Sequence, residues 1–151
     1  MQPIIRTDSE WNPNTGIVTT RLSGPVSTAD VEMWEQGLMS VMEQIPDNGT
    51  FRIFVNFFGL GPQSVEAHKR YRSVIPLLLS RYGWRVGYLA LFPEADALAL
   101  TTTRGIRCIG AVHVHQDAFK IEEYDRRFGN ATERFFTDPA AALSWLGLSA
   151  A

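Results

Sequence analysis

The sequence predicts an α/β fold: a mixed sheet of four to five strands that opens with an antiparallel hairpin and carries amphipathic helices packed on it, most simply on both faces. Two observations predict it. Short β-branched and aromatic runs alternate with longer stretches whose apolar residues recur at helical spacing. Glycine, proline and capping residues punctuate the boundaries between them. At 151 residues the chain fits one domain, 1–151, able to bury a sizeable core without metal or disulfide staples.

The elements follow in order. Residues 4–11 and 17–22 flank Asn12-Pro13-Asn14-Thr15-Gly16, where proline fixes φ and glycine permits φ > 0, so the pair reads as a hairpin at one sheet edge. Ser27, with Asp30 three positions on, caps a helix whose Val31, Trp34, Leu38, Val41, Met42 and Ile45 form one stripe, and Pro46 and Gly49 end it. Residues 51–56 are apolar at nearly every position, as expected of a central strand covered on both faces. After the breaker Gly59-Leu60-Gly61-Pro62, Ser64 caps a second helix that carries His68 on its apolar stripe, bends at Pro76 and closes at Gly83. Residues 85–92 read as a second central strand, and 95–108 as a helix introduced by Pro93-Glu94. Residues 109–115 fit either a strand or a helix end. Asp117 caps a short helix through Phe128, residues 133–137 supply a last strand, and Asp138-Pro139 starts the closing helix.

Composition narrows the function classes. Hydrophobic residues at 45% and charged residues at 20% describe a chain that folds by itself rather than a disordered one. A net charge of -2 gives no global attraction to nucleic acid, which is not expected as a partner. Cys108 is the only cysteine, so no disulfide forms within one chain, and a reducing compartment fits. The N-terminal residues lack a basic region followed by a long apolar stretch, and no apolar run approaches the roughly 20 residues of a membrane span. A cytoplasmic location with no transmembrane segment is the expectation, and no cofactor is implied.

The hairpin, the run Ile53-Phe54-Val55-Asn56 leading into Gly59-Leu60 and a helix, and the ending from Phe135 through Asp138-Pro139 to Trp145-Leu146 together resemble the SpoIIAA-like branch of the STAS superfamily over most of the chain. The resemblance implies a mixed sheet with helices and a role in protein interaction. In its anti-sigma-factor antagonists it implies a phosphorylatable serine beside an aspartate, just before the glycine-leucine pair. Here Phe57-Phe58 occupies the acceptor region and Asn56 stands where an acid is expected, so the kinase-controlled switch is not carried over. Ser64 reads as a helix cap, with phosphorylation at the helix N-terminus as the alternative.

No Ser, His and acid order defines a triad, and Gly59-Leu60-Gly61 lacks the lysine and hydroxyl of a phosphate loop. No metal is expected. The nearest approach to a ligand set is His113, His115 and Asp117, which lacks a third nitrogen ligand. Lys69, Arg70, Arg72, Arg81 and Arg85 cluster around the second helix and Arg104 and Arg107 on the next, either as a solvated face or as a groove for an anion. Two adjacent aromatics in a loop do not both reach the core easily, so Phe57 or Phe58 is exposed unless both pack under a helix. The leading expectation is a non-catalytic interaction module, self-associating as a homodimer or binding another protein through Phe57, Phe58, Leu60, Ser64, Lys69 and Arg72. The alternative is a carrier or sensor of a small apolar or anionic, lipid-like ligand, held near Leu78, Tyr82 and Leu98. A metal-assisted enzyme built on His113, His115 and Asp117 is the third.

Overall fold

The computed structural model describes residues 4–91 and 98–148. Strands β1 (Arg6–Asn12) and β2 (Ile17–Ser23) form the expected hairpin, closed by Gly16 at φ 71° and by its amide donating to the Asn12 carbonyl. Helix α1 (Thr28–Met42) starts at a complete capping box, in which the Ser27 hydroxyl accepts from the Asp30 amide and the Asp30 carboxylate accepts from the Ser27 amide. Strand β3 (Thr50–Asn56) follows, buried along nearly its whole length.

The second helical region is two helices, α2 (Val65–Arg72) and α3 (Val74–Ser80), rather than one helix bent at Pro76. The break at Ser73 has the predicted cause displaced by one turn. Pro76 has no N–H for the carbonyl of Arg72 four residues back, and its ring crowds that carbonyl. Strand β4 (Arg107–Val114), helix α4 (Ala118–Phe128), strand β5 (Glu133–Phe136) and helix α5 (Pro139–Leu148) complete the described elements.

Two expectations between α3 and β4 are corrected. The described part, 85–91, of the run expected as a central strand over 85–92 is not a strand: Gly87–Leu91 is a 3-10 turn that buries Leu89 against the core, with Val86 buried just before it. A short apolar run is satisfied equally by a strand or by a buried turn. The central position beside β3 goes instead to β4, which settles 109–115 as mostly strand. The helix expected over 95–108 is absent from its described part, 98–108; residues 92–97 of the proposed strand end and helix start lie outside the described residues. Thr101, Thr102 and Thr103 are β-branched and disfavour a helix. The 3-10 turn Thr103–Gly105 forms there instead, and β4 begins at Arg107.

The sheet has the order β1-β2-β3-β4-β5, with β1 antiparallel to β2 and all other neighbours parallel. Between Phe51 and Arg52 the β3–β4 register slips by one residue, so that Ile109 bulges out and stays 47% exposed. Successive parallel neighbours joined by right-handed crossovers place their connections on one face, and the main core agrees. It joins Val31, Trp34 and Leu38 of α1 and Ile75 and Leu79 of α3 to Val18, Leu22, Ile53 and Val55 of the sheet. The opposite face holds a smaller core in which Ala142 and Leu146 of α5 cover Ile17, Phe54, Val112 and Val114. Both faces carry helices, but unequally.

Candidate functional site

Strand periodicity points His113 inward. Ala111 and His113, two residues apart, face the crossover helices, while Val112 and Val114 face α5. An imidazole there needs a polar partner, and β5 supplies it. His113 pairs in register with Phe135, and Glu133 lies one inward position earlier on β5. His113 Nε2 and Glu133 Oε2 are 2.8 Å apart. His113 is 6% and Glu133 2% exposed. The second carboxylate oxygen of Glu133 accepts from the Gly87 amide at 3.0 Å, which ties the 3-10 turn to the sheet.

The pair is walled by rings. His113 stacks on Phe135 with centroids 4.7 Å apart and meets the Tyr88 ring edge-on at 5.4 Å. Tyr124 of α4 stacks on Tyr88 and meets Phe135 edge-on. Burial, followed by the charge of Glu133, pushes the Tyr88 phenol far above its ordinary range, so it stays protonated.

Beside these rings, at the carboxyl ends of β3 and β4, lies a cavity of about 70 Å³. Phe57, Tyr71, Ile75, Tyr88, Ile121, Tyr124 and Phe135 form its apolar wall. Arg72, His113, His115 and Lys120 contribute the polar part, and among the described residues no acidic one lines it. The electrostatics are positive at its edge. Burial lowers the His115 pKa and so does Lys120, against the opposing pull of Asp117. The His115 Nδ1 accepts from the Asp117 amide, as only a ring deprotonated at that nitrogen does. His68 is lowered by burial and then by Arg72 and Lys120.

The residues singled out in the sequence divide between this cavity and the surface around it. Phe57 is half-buried between the edges of Trp34 and Tyr71 and lines the cavity with Arg72. Phe58 is 44% exposed, so the aromatic pair splits between inside and outside. Leu60 is buried, its carbonyl held by the Gln116 amide group, whose oxygen accepts from Gly59. Ser64 caps α2 through the Ala67 amide, and Lys69 is exposed. His68 is exposed with its ring against Tyr71, which corrects the expected packed core histidine. Leu78 and Tyr82 are absorbed into the main core and do not line this cavity, so the expected ligand site beside them is not where the cavity lies.

The structure does not bring His113, His115 and Asp117 together. His113 bonds Glu133, and the Asp117 carboxylate caps α4 through the Lys120 amide. Among the described residues no three metal-ligating side chains cluster. The basic cluster also disperses. Arg70 pairs with Glu35 of α1, Arg107 sits on β4, and Arg104, expected on a helix, stands at φ 56° and donates to carbonyls at the C-terminal end of α1 while pairing with Asp47.

Sequence reasoning missed Glu133, Tyr88, Tyr124 and Phe135. One signal was present: in Glu133-Arg134-Phe135-Phe136 the glutamate shares its parity with an inward aromatic. Among the described residues no helix is long and apolar enough to cross a membrane. Comparison with known proteins finds no matching family model, no matching curated protein and no matching solved structure.

Proposed function

We propose that this chain is a small-molecule-binding domain, a carrier or sensor rather than an enzyme. The observation that carries this reading is the aromatic-walled cavity at the carboxyl ends of β3 and β4, backed by the His113–Glu133 pair. Ligand sites combine apolar walls with a few fixed polar groups, and in parallel sheets they sit at this end of the strands. Binding is favoured over turnover because Glu133 is committed to both His113 and Gly87 behind the rings of Phe135 and Tyr88. Native mass spectrometry of gently purified protein tests the reading. A small molecule retained at one per chain, and lost from an Ile121→Trp variant that fills the cavity, is expected. Retention undiminished in a folded Ile121→Trp protein would place the ligand elsewhere.

A second reading, an interaction module on a scaffold of the SpoIIAA-like kind, is favoured by one observation. Phe58 is exposed on a loop pinned by Gln116, so a partner would meet it without an ordering cost. The order hairpin, then three successive parallel strands joined by helices, supports that scaffold. Phe58→Ser is expected to weaken self-association or partner capture, read by sedimentation. An unchanged profile counts against this surface.

A further inference from the structure

We infer that this chain forms a two-fold dimer through the outer edge of β1, two copies joining their sheets into one. The inference depends neither on the cavity nor on Phe58. Backbone direction fixes what the edge presents. At the two ends of β2 the Gly16 carbonyl accepts from the Arg52 amide and the Gly24 amide donates to the Gly59 carbonyl, so even-numbered residues there turn their backbone groups to β3 and odd-numbered ones to β1. In the hairpin register Arg21 and Thr19 stand opposite Asp8 and Glu10, which directs the N–H and C=O groups of Thr7, Ser9 and Trp11 outward. None of these groups has a hydrogen-bond partner among the described residues. The other edge of the sheet is closed: on β5 the Phe135 amide donates to the Asp125 carboxylate and the Glu133 carbonyl accepts from the Asn130 amide. Strand β1 carries no proline, lysine or bulge to blunt its own edge.

Charge selects a second copy as the occupant, in one register. Two antiparallel β1 edges pair odd positions with odd and even with even. With Thr7 on the two-fold axis, Arg6 of each copy stands opposite Asp8 of the other, and Ile5 opposite Ser9. Moving the axis to Arg6 or Asp8 opposes like charges at the axis itself, and moving it to Ser9 sets Asp8 against Glu10. Arg6 and Asp8 lie 3.8 Å apart within one chain, both exposed, so the dimer closes a ring of alternating charges. Helix α1 supplies a second contact. It packs over β1 and meets α2 through Glu35 and Arg70, while its opposite flank, with Met33, Gly37, Ser40 and Gln44 at helical spacing, is exposed and uncharged. Joining the β1 edges brings these flanks of the two α1 helices side by side, at roughly the 8–10 Å of packed helices. Met33 is 62% exposed, and a Cβ on Gly37 would meet nothing within 4 Å, so the flank has apolar surface to bury and little bulk to hold the helices apart.

Sedimentation velocity of the full chain tests this, with a dimer expected at about 50 μM. Arg6→Asp sets acid against acid twice and is expected to raise the dimer Kd about tenfold, and the swap Arg6→Asp/Asp8→Arg to restore it. Thr7→Pro removes an outward N–H and leaves the hairpin bonds in place, so it is expected to give a monomer with an unchanged circular dichroism spectrum. Should Thr7→Pro unfold the chain, the charge swap decides. A monomer at about 200 μM overturns the inference, as does a dimer that Arg6→Asp leaves unweakened. In the latter case loss of the dimer in Phe58→Ser would assign it to the Phe58 loop instead.

Discussion

Glu133 ties together two distant parts of the chain, hydrogen-bonded to the His113 imidazole and accepting from the Gly87 amide, where water does not compete. Removing a buried group that satisfies others costs more than the bonds contribute net, because the partners are left desolvated and unpaired. Glu133→Ala is therefore expected to lower unfolding stability by about 3 kcal/mol in urea titrations. Glu133→Gln should lose less, since its carbonyl still accepts from Gly87. Gly87 is fixed by space: a Cβ there would stand 2.7 Å from Phe128 Cβ and 3.2 Å from Glu133 Oε1, so Gly87→Ala should cost about 1–3 kcal/mol by overpacking. Cys108 is governed by its surroundings too. Burial pushes its thiol up to about 12, so at pH 8 labelling by a thiol reagent should proceed at the rate of unfolding, and faster labelling of the folded chain would contradict its burial.

Helix α1 was legible almost residue by residue, because a capping box and an apolar stripe are local signals. Ser27→Ala removes the cap and is expected to cost about 1 kcal/mol by the same titration. The junction of α4 with β5 was not legible. Asp125 of α4 accepts from two of the three guanidinium nitrogens of Arg134, Nε at 2.8 Å and Nη2 at 2.9 Å, and from the Phe135 amide at 3.1 Å. Burial alone would raise the Asp125 carboxyl, but these hydrogen bonds and the charge of Arg134 outweigh it and hold the group below the ordinary carboxylate range. A carboxyl with a lower pKa folded than unfolded adds stability above about pH 4, lost as pH falls through its folded value. Both side chains are partly exposed, so the contribution is at most about 1 kcal/mol. Asp125→Asn should flatten the acid limb of stability below about pH 4 and leave the slope near neutrality unchanged.

At the scale of the whole molecule the two faces of the sheet are unequally covered. One face carries the three crossover connections, whereas the smaller core on the other depends on α5 alone. Arg52 reinforces that attachment, its buried guanidinium donating to the Leu146 carbonyl and to the Thr15 carbonyl of the hairpin turn. Leu146→Ala is expected to cost about 2–5 kcal/mol, because it opens a cavity against Phe54, Val112 and Val114 where no second helix can close in. Trp145 fluorescence should then report α5 loosening before the far-ultraviolet signal of the sheet and crossover helices is lost.

The amino-acid sequence by itself determined the α/β class, the hairpin at Gly16, the capped helices at Ser27, Ser64 and Asp117, and the burial of β3 on both faces, because each is written in residues within a few positions of one another. It also determined that Phe57 and Phe58 cannot share one environment without a covering helix. Only the tertiary structure decided which of two apolar runs, 86–92 or 107–114, stands beside β3, since both present enough hydrophobic surface and only pairing with β3 and β5 distinguishes them. The candidate site was decided in the same way. His113 and Glu133 are 20 residues apart, with Tyr88 well before the first and Lys120 between them on another element, so no local pattern joins them. They meet because parallel pairing of β4 and β5 sets their register, and burial then requires each polar group to find its partner.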